Sequence, residues 1–268
     1  MDDLMLVSVL SMAGMAIIFA SVLAFADKKL RVQEDPRISV VFKLLPHVNC
    51  GACGYVNCHD FAEHLIKEGD DPVKCRVLGE EAREKLCQML GKEAGPRWPK
   101  IPLVHCAAEW ENKEPVAEYK GVRTCRAADL AFGGGMRCEY GCMGFGDCVE
   151  VCPFGALRME NGLPRLDQGK CTGCGKCVEV CPRNIISLRE KRHEKIFYVA
   201  CNSHDGALRV RQICGAGCIA CGICEKLSPE KLFIVADNLS RADFSKQEDQ
   251  GKVRNIAGKC PTKVIKEI

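Results

Sequence analysis

In 268 residues the chain carries 38 basic and 35 acidic side chains, a net charge of +3 that is too small to mark a nucleic-acid-binding surface. The basic run 189–195 is interrupted by Glu190 and Glu194 and reads as a solvated face. The unusual number is 21 cysteines; disulfides at such density belong to small secreted domains, so thiolate-bound metal is the expectation here.

From Leu4 to Ala26 no charged residue occurs, and at about 1.5 Å per residue such a helix crosses a hydrocarbon core of about 30 Å. Ala24-Phe25-Ala26 has the small-x-small form of a signal-peptide cleavage site. Signal peptides begin with positive charge, however, whereas this run follows Asp2 and Asp3 and precedes Lys28, Lys29 and Arg31. Residues 1–30 are predicted to form a single-pass inner-membrane anchor, amino terminus outside and soluble domains on the cytoplasmic side. That reducing compartment preserves free thiols. Ala16, Ala20 and Ala24 form a small-residue stripe that fits either a partner helix or plain composition. One helix without buried charge offers no ion path, so any translocation is expected in other subunits.

Residues 31–95 read as a small four-cysteine module. Cys50-Gly51-Ala52-Cys53-Gly54 is followed by Cys58 and, after a helix placing Phe61, Ala62, Leu65 and Ile66 on one face, by Cys75. The glycines allow the backbone to turn tightly around sulfur. Cys50, Cys53, Cys58 and Cys75 are candidate ligands of a 4Fe-4S cluster; a zinc knuckle would use the same thiolates. His47, His59 and His64 are expected to be packing or surface residues. Residues 96–135, with Pro96, Pro99 and Pro102, read as a connector and small mixed region. Gly133-Gly134-Gly135 lacks both a following Gly-Lys-Ser/Thr and the Gly-x-Gly-x-x-Gly frame, so it reads as a turn, and no nicotinamide or flavin site is expected.

Residues 136–195 carry Cys138-x3-Cys142-x5-Cys148-x3-Cys152-Pro153 and Cys171-x2-Cys174-x2-Cys177-x3-Cys181-Pro182. Three thiolates of such a run face one point, while the cysteine before proline serves the other cluster of a two-cluster ferredoxin. The crosswise assignment is Cys138, Cys142, Cys148 and Cys181 for one 4Fe-4S cluster, and Cys152, Cys171, Cys174 and Cys177 for the next. Zinc sites instead pair ligands across loops of about a dozen residues or more.

Residues 196–268 repeat this pattern in degenerate form. Cys218-x2-Cys221-x2-Cys224-x3-Ser228-Pro229 has serine in the fourth slot, the stretch 238–250 lacks a second triplet, and Cys260-Pro261 survives. By the crossed rule one cluster is lost with Ser228, and Cys218, Cys221, Cys224 and Cys260 hold the one that remains. Four 4Fe-4S clusters are thus expected. Cys87, Cys106, Cys125, Cys201 and Cys214 receive no cluster and read as small buried apolar residues, although Cys214 lies close enough to Cys218 to compete with Cys260. Cys106 with Cys125 and Cys201 with Cys214 suggest a repeated supporting element. The predicted class is α+β: one transmembrane helix, a small 4Fe-4S module and bacterial-ferredoxin-like units.

This order of parts resembles the B subunit of the Rnf complex, a membrane-bound ferredoxin:NAD oxidoreductase coupled to sodium or proton translocation. The likeness covers essentially the whole chain and rests on the anchor, the Asn49-Cys50-Gly51-Ala52-Cys53-Gly54 module with Cys58 and Cys75, and the stretch Cys138-Glu139-Tyr140-Gly141-Cys142-Met143-Gly144-Phe145-Gly146-Asp147-Cys148 leading into Cys152-Pro153-Phe154. It implies electron exchange with soluble ferredoxin and relay to other membrane and flavoprotein subunits. The related complex that reduces a redox-sensing transcription factor has a B subunit built alike, and a free-standing anchored polyferredoxin is a third reading.

Overall fold

In a computed structural model of the chain, residues 2–30 and 35–268 are described. Helix α1 (Asp2–Leu30) contains a stretch, Met5–Leu30, long and apolar enough to cross a membrane and not buried against the rest of the chain. Its serines turn their hydroxyls back onto carbonyls of the preceding turn, Ser8 to Met5 and Ser11 to Ser8 at 2.9 Å and Ser21 to Ile17 at 2.7 Å. These hydroxyls therefore need no water, as a lipid environment demands. Lys28 and Lys29 stand in the last turn; Arg31 lies outside the described residues.

Three short helices make the first module: α2 (Pro36–Leu44), α3 (Cys58–Lys67) and α4 (Glu80–Met89). Asp35 starts α2 by accepting from Arg37 N–H at 2.9 Å, with Pro36 pre-set for the first turn, and Asn57 starts α3 by accepting from Asp60 N–H at 2.8 Å. Ile38 and Val41 of α2, Phe61, Ala62 and Leu65 of α3 and Leu86 of α4 meet in one core, with Ile66 at its edge. The histidines pack: His47 and His59 lie edge-on to Phe42 at 4.3 and 5.3 Å, and His64 lies 4.6 Å from Tyr55 between ring centres.

The remainder runs through one order of elements twice. First come β1 (Lys100–Val104), α5 (Cys125–Leu130), α6 (Asp147–Glu150), the hairpin β2 (Leu157–Glu160) and β3 (Leu163–Leu166), α7 (Lys176–Glu179) and β4 (Ile186–Glu190), which returns antiparallel to β1 with Val104 opposite Ile186. The second pass has β5 (Phe197–Val199), α8 (Ala207–Ile213), α9 (Ile223–Lys226), the hairpin β6 (Phe233–Ala236) and β7 (Leu239–Ala242), α10 (Gln250–Gly258) and β8 (Ile265–Glu267), which closes on β5. Both hairpins turn on two residues of positive φ, Asn161-Gly162 and Asp237-Asn238, the geometry that matches strand twist. The fold is thus α+β, an apolar helix followed by iron-sulfur modules. Residues 96–135, set apart above as a connector, contribute β1 and α5 to the first unit. The triple glycine is a turn whose Gly133 carbonyl accepts from Arg183 Nη2 at 2.8 Å.

The two units fill their interiors differently. The first has a small core of Cys148, Leu157, Cys177, Ile185 and Ile186. In the second, α10 puts Val253 and Ile256 among Phe197, Leu232, Phe233, Leu239, Val264 and Ile265. Gln247, 1% exposed, joins them by exchanging two hydrogen bonds with the backbone of Phe197, at 2.6 and 2.8 Å.

Candidate metal centres

In the first module Cys50, Cys58 and Cys75 are buried and Cys53 is partly so. Gly51 and Gly54, at φ 71° and 93°, carry the loop through conformations that a side chain resists. The loop is tied to α3 by Asn49 Oδ1, which accepts Cys58 N–H at 2.9 Å. Burial raises the Cys53 and Cys75 thiols above their ordinary range, and the Cys50 thiol raises both further. Backbone amides oppose this, Tyr55 donating to Cys53 and Val77 and Leu78 to Cys75. Such donors favour the thiolate, the form that binds metal.

In the first ferredoxin-like unit Cys152, Cys171, Cys174 and Cys177 ring a cavity of about 340 Å³ walled by Phe154, Leu157, Leu166 and Leu188. Burial, reinforced by Cys174, Cys171 and Cys152, pushes the Cys177 thiol up to about 12. A second cavity of about 400 Å³ is lined by Cys125, Cys142, Cys148 and Cys181. Cys148 is raised by burial first and then by Cys142, Cys125, Cys177 and Cys181. Cys138, grouped with Cys142, Cys148 and Cys181 by spacing, does not line this cavity. It lies on a separate one with Cys106, Cys201 and Cys214.

Cys125 reaches its place through tertiary contacts. The Asp147 carboxylate accepts the amides of Cys125 at 2.7 Å and Arg126 at 3.1 Å, fixing the start of α5 on the start of α6. Its thiol then sits among the amides of Asp147, Gly146 and Phe145. The signal that sequence reading missed is visible on alignment: Cys142-x2-Phe145-x2-Cys148-x3-Cys152-Pro153 matches Cys171-x2-Cys174-x2-Cys177-x3-Cys181-Pro182 with Phe145 in the second cysteine slot. Cys125 stands beside that slot, on the same cavity as Cys142, Cys148 and Cys181. Arg183, its side chain 5% exposed, binds the surrounding loops, donating to the carbonyls of Cys138, Gly141 and Gly133 at 2.8 Å and to Asp129 at 3.1 Å.

In the second unit Cys218, Cys221, Cys224 and Cys260 line a cavity of about 350 Å³, and Cys214 does not. Ser228 takes no part. Its hydroxyl donates to the Cys224 carbonyl at 2.8 Å and accepts Phe233 N–H at 3.2 Å, a backbone tie in the slot where the first unit has Cys181. Among the described residues no set of three or more His, Cys, Asp or Glu converges as a single metal ion would require. Free thiols, apolar walls and amide donors around a shared cavity are instead the donor set of an iron-sulfur cluster.

Comparison with known proteins agrees with that chemistry. A family model for an Fe-S cluster matches residues 45–77, and 4Fe-4S binding domain models match residues 136–156 and 164–187. The chain is 37% identical to the B subunit of the proton-translocating ferredoxin:NAD(+) oxidoreductase complex of Clostridium ljungdahlii, over 99% of its own length and 92% of the relative's. It is 33% identical to the B subunit of the ion-translocating oxidoreductase complex of Methanosarcina acetivorans, over 99% of both chains. The B subunit of the Na(+)-translocating ferredoxin:NAD(+) oxidoreductase complex of Acetobacterium woodii is 37% identical over 97% of this chain and 76% of its own.

Proposed function

We propose, on the premise that this chain belongs to the family of Rnf complex B subunits, that it is the membrane-anchored carrier by which electrons from soluble ferredoxin reach the complex. The observation that carries this reading is the gathering of free thiols around shared cavities in sets of four, behind a helix fit to cross a membrane. Cys50, Cys53, Cys58 and Cys75 hold one 4Fe-4S cluster; Cys125, Cys142, Cys148 and Cys181 the second; Cys152, Cys171, Cys174 and Cys177 the third; Cys218, Cys221, Cys224 and Cys260 the fourth. A 4Fe-4S cluster supplies reversible one-electron chemistry at low potential. The chain's own contribution is to space the thiols, whose protons leave when the metal binds, to exclude water with apolar walls, and to adjust the sulfurs through amide donors. Partner membrane and flavoprotein subunits carry out NAD reduction and sodium or proton translocation. The anchor holds the soluble units on the cytoplasmic face, where ferredoxin is found.

The test is reduction of the purified, iron-loaded chain, followed by visible bleaching and electron paramagnetic resonance. Reduced low-potential ferredoxin bleaches the clusters, and NADH alone leaves them oxidised. Bleaching by NADH without another protein sinks the relay role.

A further inference from the structure

Between the two ferredoxin-like units lies a cavity of about 460 Å³ onto which Cys106, Cys138, Cys201 and Cys214 face. It is of the same order as the three thiol-ringed cavities already described, of about 350, 400 and 340 Å³. The elements around it are firmly joined. Lys113 bridges to Cys214 in antiparallel fashion, Gly215 N–H donates to the Asn112 carbonyl at 3.4 Å, and the His105 ring links the Val199 carbonyl at 2.9 Å to Ser187 Oγ at 2.8 Å. The pseudo-repeat explains the pairing: Cys106 lies two residues beyond β1, and Cys201 two residues beyond β5.

Each of these thiols accepts a backbone amide, as several of the assigned ligands do. Cys142 N–H donates to Cys106 Sγ at 3.4 Å and Ser203 N–H to Cys201 Sγ at 3.5 Å. Tyr140 N–H serves Cys138, and those of Ala216 and Gly217 serve Cys214. The parallel at an assigned site is Ala156 N–H on Cys152 Sγ at 3.4 Å. The wall is also pared back at Gly141, where an added Cβ would stand 3.4 Å from Cys138 Sγ and 3.9 Å from Cys106 Sγ. Cys142 touches the same cavity and acts on Cys106 as well as on Cys125 and Cys148; it is kept with the Cys125 set because it also lines that cavity, which Cys106, Cys138, Cys201 and Cys214 do not.

We propose that Cys106, Cys138, Cys201 and Cys214 hold a fifth 4Fe-4S cluster shared between the two ferredoxin-like units. The inference rests on reading the other thiol-ringed cavities as cluster sites. With it, five sets of four leave Cys87 alone among the 21 cysteines; Cys87 is 1% exposed and belongs to the apolar face of α4. The position also has a use. The cavity shares Gly141 and Cys142 with the Cys125 set, and its Gly217 adjoins Cys218 of the carboxyl-terminal set. A carrier here closes the gap between the units, each transfer oxidising one cluster by one electron and reducing its neighbour by one.

The experiment is iron, acid-labile sulfide and zinc analysis of the full iron-loaded chain in detergent under anaerobic conditions, with Mössbauer spectra of the same samples. About twenty iron atoms per chain are expected, against about sixteen for four clusters. Cys106→Ala and Cys214→Ala each remove about four, the double variant Cys138→Ala/Cys214→Ala removes no more than either single change, and Cys87→Ala removes none. A wild-type count near sixteen that Cys106→Ala and Cys214→Ala leave unchanged overturns the fifth site and spares the other four. Additive loss in the double variant returns Cys138 to the Cys142 set and overturns it, as does stoichiometric zinc lost with Cys214→Ala. A wild type without sulfide-bound iron overturns the underlying cluster reading as well. Where an alanine variant fails to fold, the wild-type iron count and Mössbauer areas decide alone.

Discussion

Cys125 and Cys138 show how far a residue's role is set by what its neighbours hold in place. The triplet Cys171, Cys174 and Cys177 was legible in the sequence because its spacing is local. The place of Cys125 was not, since it depends on the Asp147 carboxylate capturing two amides at the start of α5. Replacing that thiol tests the point: Cys125→Ser should cost the full chain about four iron atoms or leave a three-iron signal in electron paramagnetic resonance. Unchanged iron and spectrum would contradict its place in the second cluster. Arg183 is a second case, a nearly buried cation whose fork satisfies three carbonyls and Asp129. Arg183→Ala removes this network from a site that water scarcely reaches, and a loss of about 3 kcal/mol is expected, read as a fall in thermal midpoint. Arg183→Lys should recover only part, because an ammonium cannot reproduce the planar fork.

At the scale of elements, the hairpins were within reach of sequence reading, Asn161-Gly162 being a strong two-residue turn signal. Helix α10 was harder. The missing cysteine triplet was visible, but not what took its place: a nine-residue helix whose Val253 and Ile256 enlarge the apolar core where α7, four residues long, carries Lys176 to Glu179 in the first unit. A core built from side chains must satisfy the backbone it covers, and Gln247 does this for Phe197. Gln247→Ala leaves a buried N–H and a buried carbonyl unpaired and should destabilise the second unit by about 2 kcal/mol. Exposed Lys246→Ala next to it should change stability by less than about 0.5 kcal/mol. Equal midpoints for the two variants would show that the amide is dispensable.

For the whole molecule, the anchor and the repeat were legible because both are written in composition and spacing. The share of residues 96–135 in the first unit was not, because a proline-rich stretch gives no sign that β1 will find a strand beginning at Ile186. The apolar helix predicts a clear partition: the full chain sediments with membranes and resists alkaline extraction, whereas residues 31–268 alone are soluble and keep the same iron content. Recovery of both forms in the soluble fraction would exclude an anchoring role for α1.

The pairing of β1 with β4 and of β5 with β8 also imposes a calendar on the molecule. Hairpins β2–β3 and β6–β7 close over two residues and form within microseconds, while each outer pair must wait for a long intervening chain to be ordered. Until the outer strands meet, the thiols of a unit lie open to an iron donor. Once they meet, the same strands cover the cavity walls, with Leu188 of β4 over one centre and Ile265 of β8 over another. Loading is therefore expected to be fastest before closure, and slowing that last step should lengthen the time in which the chain can be filled.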